Sequence, residues 1–198
     1  GQVTKPRKGT PMIEVEIKLP IPEADNFKAK LLNLGFRESG YLQEHDTYFD
    51  NPEGSIRANG QALRVRVTKD PGTGKSSTQI NFKGEKLDRQ TAARQELETG
   101  VEDGAVCREI LRAIGYVPVT PEVRKDRRML CMDQVTACLD RVDGLGDFLE
   151  LEILVEREEE RDAAVGRIED ILGHLGYRLS DTTHTSYLSM LQKKYSGV

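Results

Sequence analysis

The chain has 198 residues, with 29 Lys and Arg against 33 Asp and Glu, and a formal charge of −4. That length supports one domain with a real core, and the balance lacks the basic surplus that generic nucleic-acid binding requires. No apolar run approaches the roughly 18 residues of a spanning helix, so no membrane partner is expected. Cys107, Cys131 and Cys138 show neither a CxxC pair nor zinc spacing, and read as reduced thiols of a cytoplasmic protein.

Residues 1–11 are polar and basic, without a secretory apolar segment, and are expected to form a flexible N-terminal arm. Residues 12–198 are expected to be a single domain. Met12 to Leu19 alternates strictly, Ile13, Val15 and Ile17 against Glu14, Glu16 and Lys18, which is a strand signal. Pro20 and Pro22 end it. Phe27, Leu31 and Leu34 set a helix over 23–34, stopped by Gly35. Strands are predicted over 41–49, 62–68, 78–83 and 93–99, with a loop at 70–77 and a polar connection at 84–91. A helix over 102–114 follows, stopped by Gly115. Three strands over 122–132, 135–142 and 147–155 are joined by tight turns at Asp133-Gln134 and Asp143-Gly144-Leu145-Gly146. Helices over 158–175 and 181–195 complete the chain, the last capped by Ser180 or Asp181. About eight strands with short connections fit an α+β fold: a closed eight-stranded antiparallel β-barrel with helices packed outside.

The second face of these strands carries the chemistry. Glu14, Glu16 and Lys18 share one face, as do Arg64 and Arg66, then Gln79, Asn81 and Lys83, then Lys125 and Arg127, then Phe148, Glu150 and Glu152. On a plain antiparallel sheet such faces meet water. Here the charges segregate by strand, carboxylates on the first and last and cations on the middle ones, whereas a solvated face favours opposite pairs across strands. The alternative is a charged lumen, a tunnel whose carboxylates suit Mg²⁺ or Mn²⁺ and whose Arg and Lys suit a polyanion.

Glu14-Val15-Glu16-Ile17-Lys18 resembles the ExExK signature of the CYTH superfamily, the triphosphate tunnel metalloenzymes. The likeness continues in order through His45-Asp46-Thr47-Tyr48-Phe49, Leu63-Arg64-Val65-Arg66, Phe82-Lys83-Gly84, Arg94-Gln95-Glu96, Lys125-Asp126-Arg127, the segment DRVDGLGDFLELE at 140–152, and Ser186-Tyr187. It looks most like the class IV adenylyl cyclase and thiamine triphosphatase branches. The resemblance implies that Glu14, Glu16, Glu150 and Glu152, assisted by Asp140, bind Mg²⁺ or Mn²⁺. It also implies that Lys18, Arg64, Arg66, Lys83, Arg94, Lys125 and Arg127 hold the triphosphate. Glu14, Glu16 and Lys18 would be central to catalysis. The reaction expected is ATP to cyclic AMP and pyrophosphate. The alternatives are hydrolysis of inorganic or thiamine triphosphate in the same tunnel, and a non-catalytic sensor of polyphosphate or nucleotides. A barrel with exterior helices is also compatible with a homodimer.

Other signals have plainer readings. Gly72-x-Gly74-Lys75-Ser76 echoes the end of a P-loop, but position 69 is Lys and the segment lies in a hairpin. Gly144-Leu145-Gly146 reads as a turn requirement. His45 and His184 read as structural or surface residues. The run Glu156 to Arg161 reads as a solvated helix start. Tyr187 either lines the tunnel mouth or packs a helix.

Overall fold

The computed structural model describes residues 11–89 and 91–197; of the expected arm at 1–11, residues 1–10 lie outside this range. The strands are β1 (Met12–Pro20), β2 (Arg37–Asp50), β3 (Ala62–Lys69), β4 (Ser76–Lys83), β5 (Arg94–Val101), β6 (Val117–Met132), β7 (Val135–Val142) and β8 (Gly146–Val155). They close into a barrel in the order β1-β5-β4-β3-β2-β6-β7-β8. Each neighbouring pair is antiparallel. The helices are α1 (Ala24–Asn33), α2 (Ser55–Ala58), α3 (Gly104–Ala113), α4 (Arg161–His174) and α5 (Tyr187–Ser196). No helix among the described residues is long and apolar enough to cross a membrane.

The apolar face of β1, β7 and β8 looks outward and is covered. Ile13, Val15, Ile17 and Leu19 of β1 and Leu149, Leu151 and Ile153 of β8 pack with Phe27 and Leu31 of α1 and Ile168, Ile171 and Leu172 of α4. Fully burying a side chain of this size contributes about 1.5–3 kcal/mol, so this exterior layer is the main hydrophobic core. A smaller cluster sets Leu111 of α3 against Phe49 and Val65. Burial on both faces explains β1, where Val15 is 0% exposed toward the helices and Glu14 3% exposed toward the lumen.

The lumen-facing positions turn apolar at one end of the barrel. There Val123, Val142 and Phe148 pack with Tyr187, Leu188 and Leu191 of α5. The β7–β8 turn seats this helix: Gly144 has φ +82°, and a Cβ added to it would lie 3.2 Å from both Leu191 Cδ2 and the Tyr195 hydroxyl. Lys194 Nζ donates to the Gly144 carbonyl at 2.5 Å. The Gly-Leu-Gly segment is thus a turn, as its sequence suggests, and also a docking seat.

Several boundaries differ from the sequence reading. The last helix begins at Tyr187, not 181, and its cap is Ser186, whose hydroxyl accepts from Ser189 N–H. Residues 182–186 are held off helical geometry because Thr183 N–H donates to the Lys18 carbonyl at 2.8 Å. The helix expected from 158 opens with a 3-10 turn, Glu158–Glu160, before α4. β2 and β6 start earlier than predicted and pair along twelve register positions. The short helix α2 was not anticipated; the Asp50 carboxylate accepts from Ile56 and Arg57 N–H and so replaces a conventional cap. The 70–75 loop is a hairpin turn organised by Asp70, which accepts from Gly72 and Thr73 N–H.

Replacing Gly144 with Ala forces a left-handed backbone and crowds α5. The expected cost is about 1–2 kcal/mol, read as a lower Tm in thermal unfolding. An unchanged Tm would remove the seat assigned to this glycine.

A charged tunnel as the candidate active site

Strand alternation aims the second face of every strand at the barrel axis. The lumen is a cavity of about 1200 Å³ lined by Glu14, Glu16, Lys18, Arg64, Arg66 and further charged residues from β2, β4, β5, β6 and β8. The register places Glu16 opposite Glu152 and Lys18 opposite Glu150 between β1 and β8. It places Tyr48 opposite Arg64 and Asp46 opposite Arg66 between β2 and β3.

Carboxylate oxygens of Glu14, Glu16 and Glu152 all lie within 4.8 Å of one another. Lys83 Nζ is 2.6 Å from Glu14 and 3.6 Å from Glu16. One ammonium does not balance three carboxylates, two of them buried and Glu152 partly so. Burial raises the Glu16 pKa, and Glu14 adds to the rise against the pull of Lys83. Burial, Glu14 and Glu16 push Glu152 well above the usual carboxylate range. The Lys83 ammonium is held more firmly than usual: burial opposes its charge, but Glu14 and Glu16 outweigh burial. An all-oxygen, net-negative donor set of this kind fits a hard divalent cation such as Mg²⁺ or Mn²⁺.

The cations fall into two groups. Arg127 forks onto Asp140 through Nε and Nη2, both at 2.7 Å, and Nη2 also reaches Glu150 at 2.7 Å. Arg66 forks onto Asp46 at 2.7 and 2.9 Å and approaches Glu44 at 3.0 Å. Lys125 lies 3.2 Å from Asp46 and 3.5 Å from Glu44. These three are already compensated. Burial works against the Glu44 charge, yet Arg127, Arg66 and Lys125 together lower its pKa to about 2. Asp46 is likewise held well below its ordinary value, burial being outweighed by Arg66 and Lys125. In contrast, the Nε groups of Arg64 and Arg94 are buried and find no hydrogen-bond acceptor among the described residues. Lys18 is loosely engaged, 3.8 Å from Glu150 and 3.5 Å from the Thr185 carbonyl.

The structure therefore brings Glu14, Glu16, Lys18, Arg64, Arg66, Lys83, Arg94, Lys125, Arg127, Glu150 and Glu152 to one lumen. Asp140 is 0% exposed and, like Glu150, is engaged by Arg127; among the described residues, the group close enough to share an ion is Glu14, Glu16 and Glu152. Sequence reasoning missed Glu44 and Asp46, whose strand reads Gln-Glu-His-Asp-Thr-Tyr and lacks a clean apolar alternation. It also missed Lys86, in the polar connection, whose Nζ donates to the His184 carbonyl at 2.5 Å. Burial, Arg94 and Lys18 lower the Lys86 pKa. His45 is outside this set and pairs with Glu122 at 2.5 Å.

The sequence model of the CYTH domain matches residues 12–187. The chain belongs to the CYTH family. Among curated proteins, one from Methanocaldococcus jannaschii whose name proposes adenylate cyclase activity is 31% identical over 179 residues, covering 90% of this chain and 98% of that one. Adenylate cyclase CyaB of Aeromonas hydrophila is 28% identical over 184 residues, covering 91% and 89%. A solved structure from Pyrococcus horikoshii OT3 superposes with a TM-score of 0.81 at 31% identity, covering 91% of this CYTH chain and 99% of the other. The barrel and exterior helices are those of the CYTH tunnel fold.

Two outcomes follow from these charges. Because the Glu44 pKa is depressed, its contribution is present above the ordinary carboxylate range and is lost as pH falls through about 2. Glu44→Gln should therefore cost about 3 kcal/mol near neutral pH. Denaturant unfolding at a series of pH values should show the gap to wild type closing in acid; a pH-independent gap would mean that the charge is not what matters. The raised carboxylates behave oppositely, their charged forms opposing folding near neutral pH. Mn²⁺ should then raise Tm, and Glu152→Gln should keep a metal-free Tm at least equal to wild type while losing most of that rise. A metal-induced rise undiminished in Glu152→Gln would take Glu152 out of the ion site.

Proposed function

We propose that this CYTH chain is a metal-dependent enzyme that converts ATP to cyclic AMP and pyrophosphate. The observation that carries the reading is the acidic group of Glu14, Glu16 and Glu152 in the same lumen as two buried, unpartnered arginine N–H groups. Pure anion binding has no use for three converging carboxylates, and pure cation binding has none for Arg64 and Arg94. A metal–triphosphate complex uses both. The names of the curated relatives, similar over nine-tenths of the chain, favour cyclisation as the reaction.

Arg64 and Arg94 have donors to spare and would take non-bridging phosphate oxygens. Lys18, with only long contacts, would turn from Glu150 toward the same anion. Arg66, Lys125 and Arg127 keep their carboxylate partners and would add positive potential and rigidity more than direct grip. Together these groups would stabilise the charge that builds on the leaving pyrophosphate as the ribose 3′-oxygen closes on the α-phosphorus. A divalent cation at Glu14, Glu16 and Glu152, Mg²⁺ or Mn²⁺, would supply charge at the attacked phosphate and acidify the attacking hydroxyl. The walls of the barrel would hold bulk water back from the reacting phosphate.

The test is a product assay with Mg²⁺ or Mn²⁺, offering ATP, thiamine triphosphate and inorganic triphosphate separately. Cyclic AMP and pyrophosphate from ATP are expected. Orthophosphate release from the other two, without cyclic AMP, would replace the cyclase with a triphosphatase. Glu14→Gln with Glu16→Gln should lower kcat by about 100-fold or more with the fold intact, and Arg64→Ala should raise KM and lower kcat. A fully active double variant would remove the metal assignment.

A further inference from the structure

Tyr187 is the first residue of α5, yet it lies among the charges of the tunnel and is 6% exposed. Its hydroxyl donates to Asp140 Oδ2 at 2.7 Å, and the same carboxylate holds both arms of Arg127. Lys18 Nζ stands 4.1 Å from the centroid of its ring and Lys125 Nζ 5.5 Å. Phe148 meets the ring edge-on, with centroids 5.0 Å apart. Two lumen cations therefore face the Tyr187 ring, and a third, Arg127, shares the Asp140 carboxylate with its hydroxyl. Lys18 has the loosest polar contacts of the three, so the ring contributes most to its position.

The segment that delivers this tyrosine is tied down on both sides. Upstream, Thr183 N–H donates to the Lys18 carbonyl and the Thr185 carbonyl faces Lys18 Nζ. Downstream, α5 is fixed by the Gly144 seat, by Gln192 donating to the Thr120 carbonyl at 3.0 Å, and by Arg57 donating to Ser189 Oγ at 2.9 Å. A residue needed only for packing at this position could be Leu or Phe. The hydroxyl bond to a fully buried, already paired carboxylate and the cation-facing ring ask for more than packing.

We propose that Tyr187 is a positioning residue of the active site: its ring sets the Lys18 ammonium and its hydroxyl locks the Asp140–Arg127 fork, so that docking of α5 completes the anion-binding wall. The inference rests on the triphosphate reading above. It makes the C-terminal helix part of the catalytic apparatus, although α5 contributes no charged group to the lumen.

Two variants separate the two halves of the role. Tyr187→Phe keeps the ring and loses the hydroxyl; Tyr187→Leu loses both at similar bulk. With the metal and the triphosphate that wild type turns over, Tyr187→Phe should hold KM within about twofold while kcat falls about tenfold. Tyr187→Leu should also raise KM about tenfold, through loss of the cation–ring contact. Tm of Tyr187→Phe should stay close to that of wild type. Calorimetric binding of inorganic triphosphate should weaken in Tyr187→Leu and not in Tyr187→Phe. If both variants match wild type in kcat and KM, or if activity falls only in step with Tm at unchanged KM, the proposal is overturned. Should Tyr187→Leu fail to fold, the kcat of Tyr187→Phe decides alone. A wild-type protein that neither binds nor turns over any triphosphate would sink the function reading and this inference together. An active wild type silenced by Glu14→Gln and Glu16→Gln but indifferent to Tyr187 would sink this inference only.

Discussion

Three carboxylates share a space that holds one close ammonium, and the rest of the molecule is arranged around that imbalance. Each ion taken from water costs several kcal/mol unless it is paired and hydrogen-bonded. A single sheet would let the charged face turn to solvent. A closed barrel removes that escape, because the interior face of every strand has only other interior faces to meet. The driving force for closure comes from the opposite face, where Val15, Ile17, Leu149 and Leu151 lie under Ile168 and Leu172. The apolar exterior thus turns Glu14, Glu16 and Glu152 toward one another in the lumen, where a cation would balance their charge.

The cations answer the same problem in two ways. Arg66, Lys125 and Arg127 neutralise Glu44, Asp46 and Asp140 in a bidentate, mutually bracing network. Removing one member would leave a buried charge uncompensated, which makes this side of the lumen stiff. Arg64 and Arg94 carry buried Nε donors without acceptors among the described residues, the counterpart of the carboxylate excess in the same lumen. Buried donors are paired in the great majority of cases, so these two are donors that an anion in the lumen would satisfy. The lumen is preorganised along one wall and held in electrostatic debt along the others.

Much of this was legible in the sequence. The Glu-Val-Glu-Ile-Lys alternation of β1 and the Leu-Glu-Leu-Glu of β8 declare two faces of opposite character, and the register then follows from closure. Asp46 and Glu44 escaped because His45 and Gln43 occupy the outward positions where an apolar residue would have revealed the period. The paired status of Arg66 against the free Nε of Arg64 was equally hidden, since it depends on which strand lies alongside. The start of α5 was misplaced for a related reason. Residues 181–186 carry Ser and Thr that suit a helix cap at several positions, and only the tertiary bond from Thr183 N–H to Lys18 chooses Ser186.

The strict alternation of β1 has a further consequence, for folding fidelity. Side chains repeat every two residues along a strand, so a slip of one position exchanges the two faces completely. In β1 that slip would set Glu14 and Glu16 beneath α4 and point Ile13, Val15 and Ile17 into a lumen lined by arginines. The wrong pairing is penalised twice, once for charges in an apolar layer and once for cations and carboxylates stripped of partners. Sheets with one solvated face penalise the same error only once. The charged residues of the lumen are therefore also the marks by which the chain aligns its own strands, and a substitution that neutralises the lumen would loosen the register it is read against.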